Sequence, residues 1–185
     1  MNFCQRFFGH LRTVRRHRRE VRKLCVQCGL RWRGLVHDLS KYSPTEFWNG
    51  VKFFTGTNSP HHGERAKYGY SKAWLHHKGH NKHHAEYWQD IGPDGHTKCV
   101  DMPIEYFVEM VCDRIAACKI YRGKNFTRSD PKTYYITHIN ENQFSDKTRD
   151  MLYIALTRYE RFSEEMFIEW LSGLIDSGDN AYKYI

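Results

Sequence analysis

The sequence predicts an all-α fold in one domain spanning 1–185, and three observations carry that prediction. Apolar residues recur three and four positions apart along most of the chain, as one face of a helix requires. Helix-start signals, a serine or an aspartate close to a proline, stand ahead of several of these stretches. No stretch has the strict alternation of a half-buried strand, and no repeat or low-complexity tract breaks the pattern. A chain of 185 residues, 40% hydrophobic and 27% charged, has the size and composition of one core.

From Phe3 to about Cys28 the chain reads as a basic helix, with Phe7, Leu11, Val14, Val21, Leu24, Cys25 and Cys28 at its apolar positions. Gly29 suits the left-handed residue that closes a helix. A short helix through Trp32, Leu35 and Val36 then runs up to an adjacent pair, His37-Asp38. Ser43-Pro44-Thr45-Glu46 starts the next helix: Ser43 caps it, Pro44 fits its first position and Glu46 completes a capping box. That helix holds Phe47, Trp48, Val51 and Phe54. Gly56 to Pro60 ends it as a loop, on which His61 and His62 are expected to lie.

Ser71 caps a further helix with Trp74, Leu75 and five histidines, His76, His77, His80, His83 and His84. Gly79 and Asn81 are placed to break it. Residues 91 to 100 read as a polar loop. Asp101-Met102-Pro103 opens a helix with Ile104, Phe107, Val108, Val111, Ile115 and Cys118 on one side. Two more helical stretches follow, near Lys147 to Arg161 and Ser163 to Leu174. His10, His96 and His138 read as surface residues.

Composition excludes some classes of protein. No run of 18 apolar residues offers a membrane span, and the first 22 residues lack the apolar stretch of a secretory signal, so a cytoplasmic protein without a membrane partner is expected. The six cysteines then read as free thiols; Cys25 and Cys28 form a C-x-x-C pair with no second pair to complete a zinc site. The net charge of +8 gathers in Arg12, Arg15, Arg16, Arg18, Arg19, Arg22 and Lys23. Such a run is a solvated helix face, or a surface that attracts phosphate on a nucleotide or a nucleic acid.

The twelve histidines matter by placement. Imidazole and carboxylate together bind divalent first-row metals. His37 and Asp38, adjacent at the end of an apolar run, can hold one ion or reach two, with the carboxylate bridging. Asp113 sits in an apolar stretch, Met110 to Ala117, where an unpaired carboxylate would be costly to bury and a cation, or a neighbour such as Arg114, would offset the cost. His17 lies upstream on the basic helix.

The order His17, His37-Asp38, Asp113 on successive helices resembles the HD superfamily of metal-dependent phosphohydrolases. Lys41 matches a lysine found just past the HD pair there, where it serves substrate phosphate. The resemblance further implies that histidines between the pair and the last aspartate hold a second metal, a part that His77, His83 and His84 could take. A broader likeness, carried by Gly34 to Pro44, Ala73 to Gly79, Asn81 to His84, Tyr87-Trp88 and Met102-Pro103, is to a small uncharacterised family of bacterial and phage proteins. That family has arginine where this chain has His80, so His80 is not taken as a ligand.

The expectation is a metal-dependent phosphohydrolase with one or two divalent ions, Mn, Fe, Zn, Ni or Co. Its substrate would be small and phosphorylated, a nucleotide being one such, with Asp38 and Lys41 as catalytic groups and Lys41, Arg65 and Arg114 around the phosphate. An HD-type di-iron oxygenase is the alternative. A nucleic-acid-binding protein without catalysis comes third.

Overall fold

The computed structural model describes residues 1–138 and 143–184, and over them the fold is all-α with one small hairpin. Helix α1 (Phe3–Gln27) opens with a capping box between Asn2 and Gln5 and, at 25 residues, is about 37 Å long. Its buried stripe is His10, Val14, His17, Val21, Leu24 and Cys25. Two steps of that stripe are histidines, so the apolar residues alone do not mark it continuously. His10 is thus no surface residue: it is buried against Phe47 and Phe54 and over Gly50, where a Cβ would stand 2.2 Å from its Nε2.

Gly29 closes α1 at φ +84°, and α2 (Arg31–Val36) turns back along it. Contact is close at Gly34, where an added Cβ would lie 2.8 Å from the Cβ of Cys25. Helix α3 (Pro44–Phe53) starts where expected, with the Ser43 hydroxyl accepting from the N–H of Glu46 at 3.3 Å. The capping box does not close, because the Glu46 carboxylate is turned inward onto two histidines. Beyond it α4 (Pro60–Tyr68) carries His61 and His62, which are helical and not in a loop. Its single buried side chain is Glu64, so it offers no apolar period to read.

Helix α5 (Lys72–His80), capped by Ser71 at 2.9 Å from the N–H of Trp74, stops at Asn81, which leaves His83 and His84 beyond the break. Strands β1 (Gln89–Ile91) and β2 (Thr97–Cys99) then pair antiparallel where a loop was expected, turning through Gly95 at φ +78°. Three-residue exposed strands have no alternation to display. Helices α6 (Ile104–Arg122), α7 (Asp130–His138), α8 (Asp146–Arg161) and α9 (Glu164–Ser177) complete the chain, α7 being the one the sequence did not announce.

Helix α6 is the centre of the molecule. Phe107, Val108, Val111 and Ile115 are fully buried, between α1 on one side and Leu152, Leu156, Phe167 and Leu171 of α8 and α9 on the other. The Cys25, Cys28 and Cys112 thiols meet in this core, and their mutual hydrogen bonds, with burial, hold the Cys112 thiol well above its ordinary pKa. Among the described residues no helix is long and apolar enough to cross a membrane.

Candidate metal centre

The centre forms where α1, the turn after α2, the end of α5 and the middle of α6 meet. Helix α1 supplies His17 from its buried stripe. His37 and Asp38 are not on a helix. His37 ends α2, and Asp38, at φ +54°, is the one non-glycine among the described residues with a positive φ. Aspartate tolerates this conformation better than most residues. The resulting kink drives both side chains into the protein, each 1% exposed. Arg18 holds the kink from α1, its guanidinium donating to the carbonyls of His37 (2.7 Å) and Leu35 (2.9 Å). One arginine of the basic run is therefore a structural clamp and not a solvated charge.

Seven side chains converge in two groups that share Asp38, and each group could hold a metal ion: His17, His37, Asp38 and Asp113, then Asp38, His77, His83 and His84. The two oxygens of Asp38 face different ways. Oδ2 lies 3.6 Å from His17 Nε2 and 3.4 Å from His37 Nε2, while Oδ1 lies 3.3 Å from His77 Nε2 and 3.5 Å from His83 Nε2. Asp113 Oδ1 closes the first group at 2.9 Å from His17 and 3.5 Å from His37. His84 joins the second, its Nε2 2.9 Å from that of His77.

Such an arrangement is costly without a cation. The Nε2 atoms of His17, His37 and His83 and Oδ1 of Asp38 are buried with no hydrogen-bond partner, and each such atom costs about 1–3 kcal/mol. A cation in the first group would satisfy His17 and His37, and one in the second Asp38 Oδ1 and His83. Five imidazoles and two carboxylates are also the donor set that divalent first-row metals take. The residues present fit a metal.

The outer nitrogens are fixed in turn by carboxylates. Glu109 of α6, one helical turn before Asp113, accepts through Oε1 from His37 Nδ1 (2.8 Å) and His83 Nδ1 (3.2 Å). Its Oε2 takes Arg33 at 3.4 Å. Glu46 accepts from His77 Nδ1 at 2.8 Å and His76 Nδ1 at 2.7 Å. For His37, His77 and His83 the Nδ1 contact turns Nε2 towards the centre as the atom available to a metal.

Charge follows this geometry. Burial opposes ionisation of Asp38, but His37, Lys41 and His77 hold its carboxyl well below the usual range; His17 and His37 do the same, against burial, for Asp113. Burial would depress His37, but Asp38 chiefly, with Asp113 and Glu109, raises it well above an ordinary imidazole. At His84 burial wins, with His83 and His77 adding to it, and the ring is held neutral. The Lys41 ammonium lies 2.5 Å from Asp38 Oδ2 and stays charged because Asp38 and Asp113 outweigh its burial.

The remaining expectations meet the structure unevenly. Arg65 is exposed, with its guanidinium 5.4 Å from the Trp74 ring, and Trp74 packs on His77 and His84. Arg114, next to Asp113 in sequence, lies over the Phe144 ring at 5.8 Å, and its Nε is buried without a partner. Neither arginine belongs to the ligand groups. His80 stacks on His76 at 4.1 Å and belongs to neither ligand group.

Sequence reasoning missed Glu109, Glu46 and His61. The burial argument applied to Asp113 applies equally to Glu109, flanked by Val108 and Met110, and was the available signal. His61 stands 6.0 Å from the His77 ring. Ser71 Oγ donates its one proton to Glu64 (2.5 Å), so at 3.3 Å His61 Nδ1 must donate to Ser71, which leaves His61 Nε2 a free lone pair. Burial and the Lys41 charge keep that ring neutral, its pKa lowered to about 3.

In comparison with known proteins, a family model described as Family of unknown function (DUF5662) matches residues 6–158. Every residue of the centre lies inside that span, and α9 lies outside it. No curated protein and no solved structure matches the chain.

Proposed function

The chain belongs to the Family of unknown function (DUF5662), and we propose that it is a metal-dependent phosphohydrolase of the HD type with a dinuclear centre. The observation that carries this reading is the divided Asp38 carboxylate, one oxygen toward His17 and His37 and the other toward His77 and His83. A bridging carboxylate between two nitrogen-rich pockets is what a pair of divalent ions needs. Two cations held there would supply the chemistry of such centres, lowering the pKa of a bound water and neutralising phosphate charge.

The protein's own groups do the rest. His17, His37 and Asp113 hold the first position, and His77, His83 and His84 the second. Lys41, held 2.5 Å from Asp38 Oδ2 at the edge of the centre, would present its ammonium to a phosphate oxygen as a point charge. His61, neutral with an open Nε2 beside His77, accepts a hydrogen bond from water or a substrate hydroxyl. A pKa of about 3 makes it a poor proton carrier at neutral pH, so its role is orientation. The substrate class is a small phosphomonoester or phosphodiester, whose negative charge the ammonium beside the centre would meet.

Hydrolysis of a panel of phosphorylated substrates, before and after chelation and with Mn, Fe, Co, Ni or Zn restored, tests the proposal. Activity lost to chelator and recovered with metal supports it. Substrate oxidation with dioxygen uptake by an iron-loaded protein would replace it with the oxygenase, and retained activity in chelator would remove the metal from the account.

A further inference from the structure

Two buried carboxylates back the centre, and they differ in reach. Glu46 touches one histidine of the ligand groups: its Oε2 accepts from His77 Nδ1 at 2.8 Å, and its Oε1 takes His76, which belongs to neither group. Glu109 touches two. Its Oε1 accepts from His37 Nδ1 at 2.8 Å and His83 Nδ1 at 3.2 Å, and those two rings stand 4.4 Å apart at 36°. His37 belongs to the first ligand group and His83 to the second. One oxygen of α6 therefore sets the tautomer and angle of a ligand on each side of Asp38.

The opposite end of Glu109 is fixed as firmly. Arg33 reaches Oε2 at 3.4 Å and Glu105 at 2.6 Å, and its guanidinium lies 3.6 Å from the Tyr106 ring. Arg33 is on α2, four residues before His37. The Glu109 carboxylate thus joins α2, α6 and the turn after α5, and is 4% exposed.

We infer that Glu109 is a shared positioning residue for both metal positions, and that Glu46 positions the second alone. The inference rests on the two-ion reading of the site. Donation of Nδ1–H to a carboxylate makes the ligating nitrogen more basic and orients the ring, and removing such a partner weakens metal binding roughly ten- to a hundred-fold. Loss of the Glu109 charge must then weaken both ions together. Loss of the Glu46 charge must weaken one ion and leave the other at native affinity.

The test is a competitive titration of metal-free protein with zinc against a chromophoric chelator, which reads stoichiometry and both affinities without any turnover. Glu109→Gln and Glu46→Gln keep side-chain volume, and circular dichroism checks each fold. The expected result is two ions in the parent, both affinities lowered roughly ten-fold or more in Glu109→Gln, and one lowered in Glu46→Gln. A Glu109→Gln protein that weakens one ion or none overturns the inference. If that variant does not fold, Glu46→Gln decides alone: both ions weakened, or neither, contradicts it. Fewer than two ions in the parent defeats the two-ion reading itself, a result distinct from either variant's.

Discussion

At the scale of single residues, the proposed function assigns Asp38 to holding ions and Lys41 to meeting substrate, and the two roles can be separated. Asp38→Ala removes the one side chain common to both ligand groups, so it should cost metal at both positions, whereas His84→Gln should cost the second alone. Elemental analysis against native helical circular dichroism separates these outcomes from unfolding. Lys41→Ala should retain its metal and lose turnover or phosphate affinity, because the ammonium contacts Asp38 and no ligand nitrogen in the structure. Metal lost along with activity would make Lys41 a structural part of the site.

The pH behaviour has a definite sign. His37 titrates well above an ordinary imidazole in the metal-free protein, so at neutral pH a metal must displace its proton. Affinity should rise with pH, and calorimetry in buffers of different ionisation enthalpy should detect proton release near pH 7. Glu109 works in the other direction. Burial opposes its charge, but His37 and His83 pull its pKa from 4.5 down to about 2. Its folded pKa lies below its unfolded one, so its stabilisation, about 3 kcal/mol, is complete above pH 4.5 and is lost as pH falls towards 2. Acid melts of metal-free Glu109→Gln should lack that component.

At the scale of elements, legibility followed periodicity. Helices α6, α8 and α9 have buried apolar faces at helical spacing, and their extents matched the reading of the sequence closely. Helix α4 buries only Glu64, and α7 buries Pro131 and Tyr135, so neither has a stripe to find. The hairpin is too short and too exposed to have one. The burial argument singled out Asp113 alone, and it was the resemblance to the HD superfamily that grouped it in advance with His17, His37 and Asp38. Glu46 was hidden by a second plausible role as a capping residue, and the kink at Asp38 by an assumption that the pair continues a helix. His83 and His84 reach the centre because α5 breaks at Asn81, whose amide donates to the His77 carbonyl at 2.7 Å.

Packing between elements then becomes testable. Gly34 lets α2 lie against Cys25 and Arg22 of α1, and an added methyl would need its neighbours to move. Gly34→Ala should destabilise the fold by about 1–3 kcal/mol and, by shifting the turn that carries His37 and Asp38, weaken metal binding from three residues away. Thermal melts with and without zinc measure the two effects separately. An unchanged metal affinity would mean that the kink is held by Arg18 and Glu109 independently of α2 packing.

At the scale of the whole molecule, one central helix serves two purposes. Phe107, Val111 and Ile115 face the core from one side of α6, and Glu109 and Asp113 leave the helix from a different side towards the centre, so the core and the centre are supported by the same element. On α1 the arrangement is reversed. His17 faces the centre, while Arg12, Arg15, Arg16 and Arg19 line the far side of the helix with Phe8 and Leu11. Arg12, Arg15 and Arg19 lie nearly half a turn from His17, and none of these cations belongs to the ligand groups, although the +8 charge draws anions towards the molecule generally.

The central claim is that Asp38 bridges two metal ions, and the metal-to-chain ratio of freshly purified protein, set beside that of Asp38→Ala, tests it most directly. The account predicts two ions per chain in the parent and less than one in the variant, with helical circular dichroism unchanged. One ion in the parent, or two retained after Asp38 is removed, would contradict it.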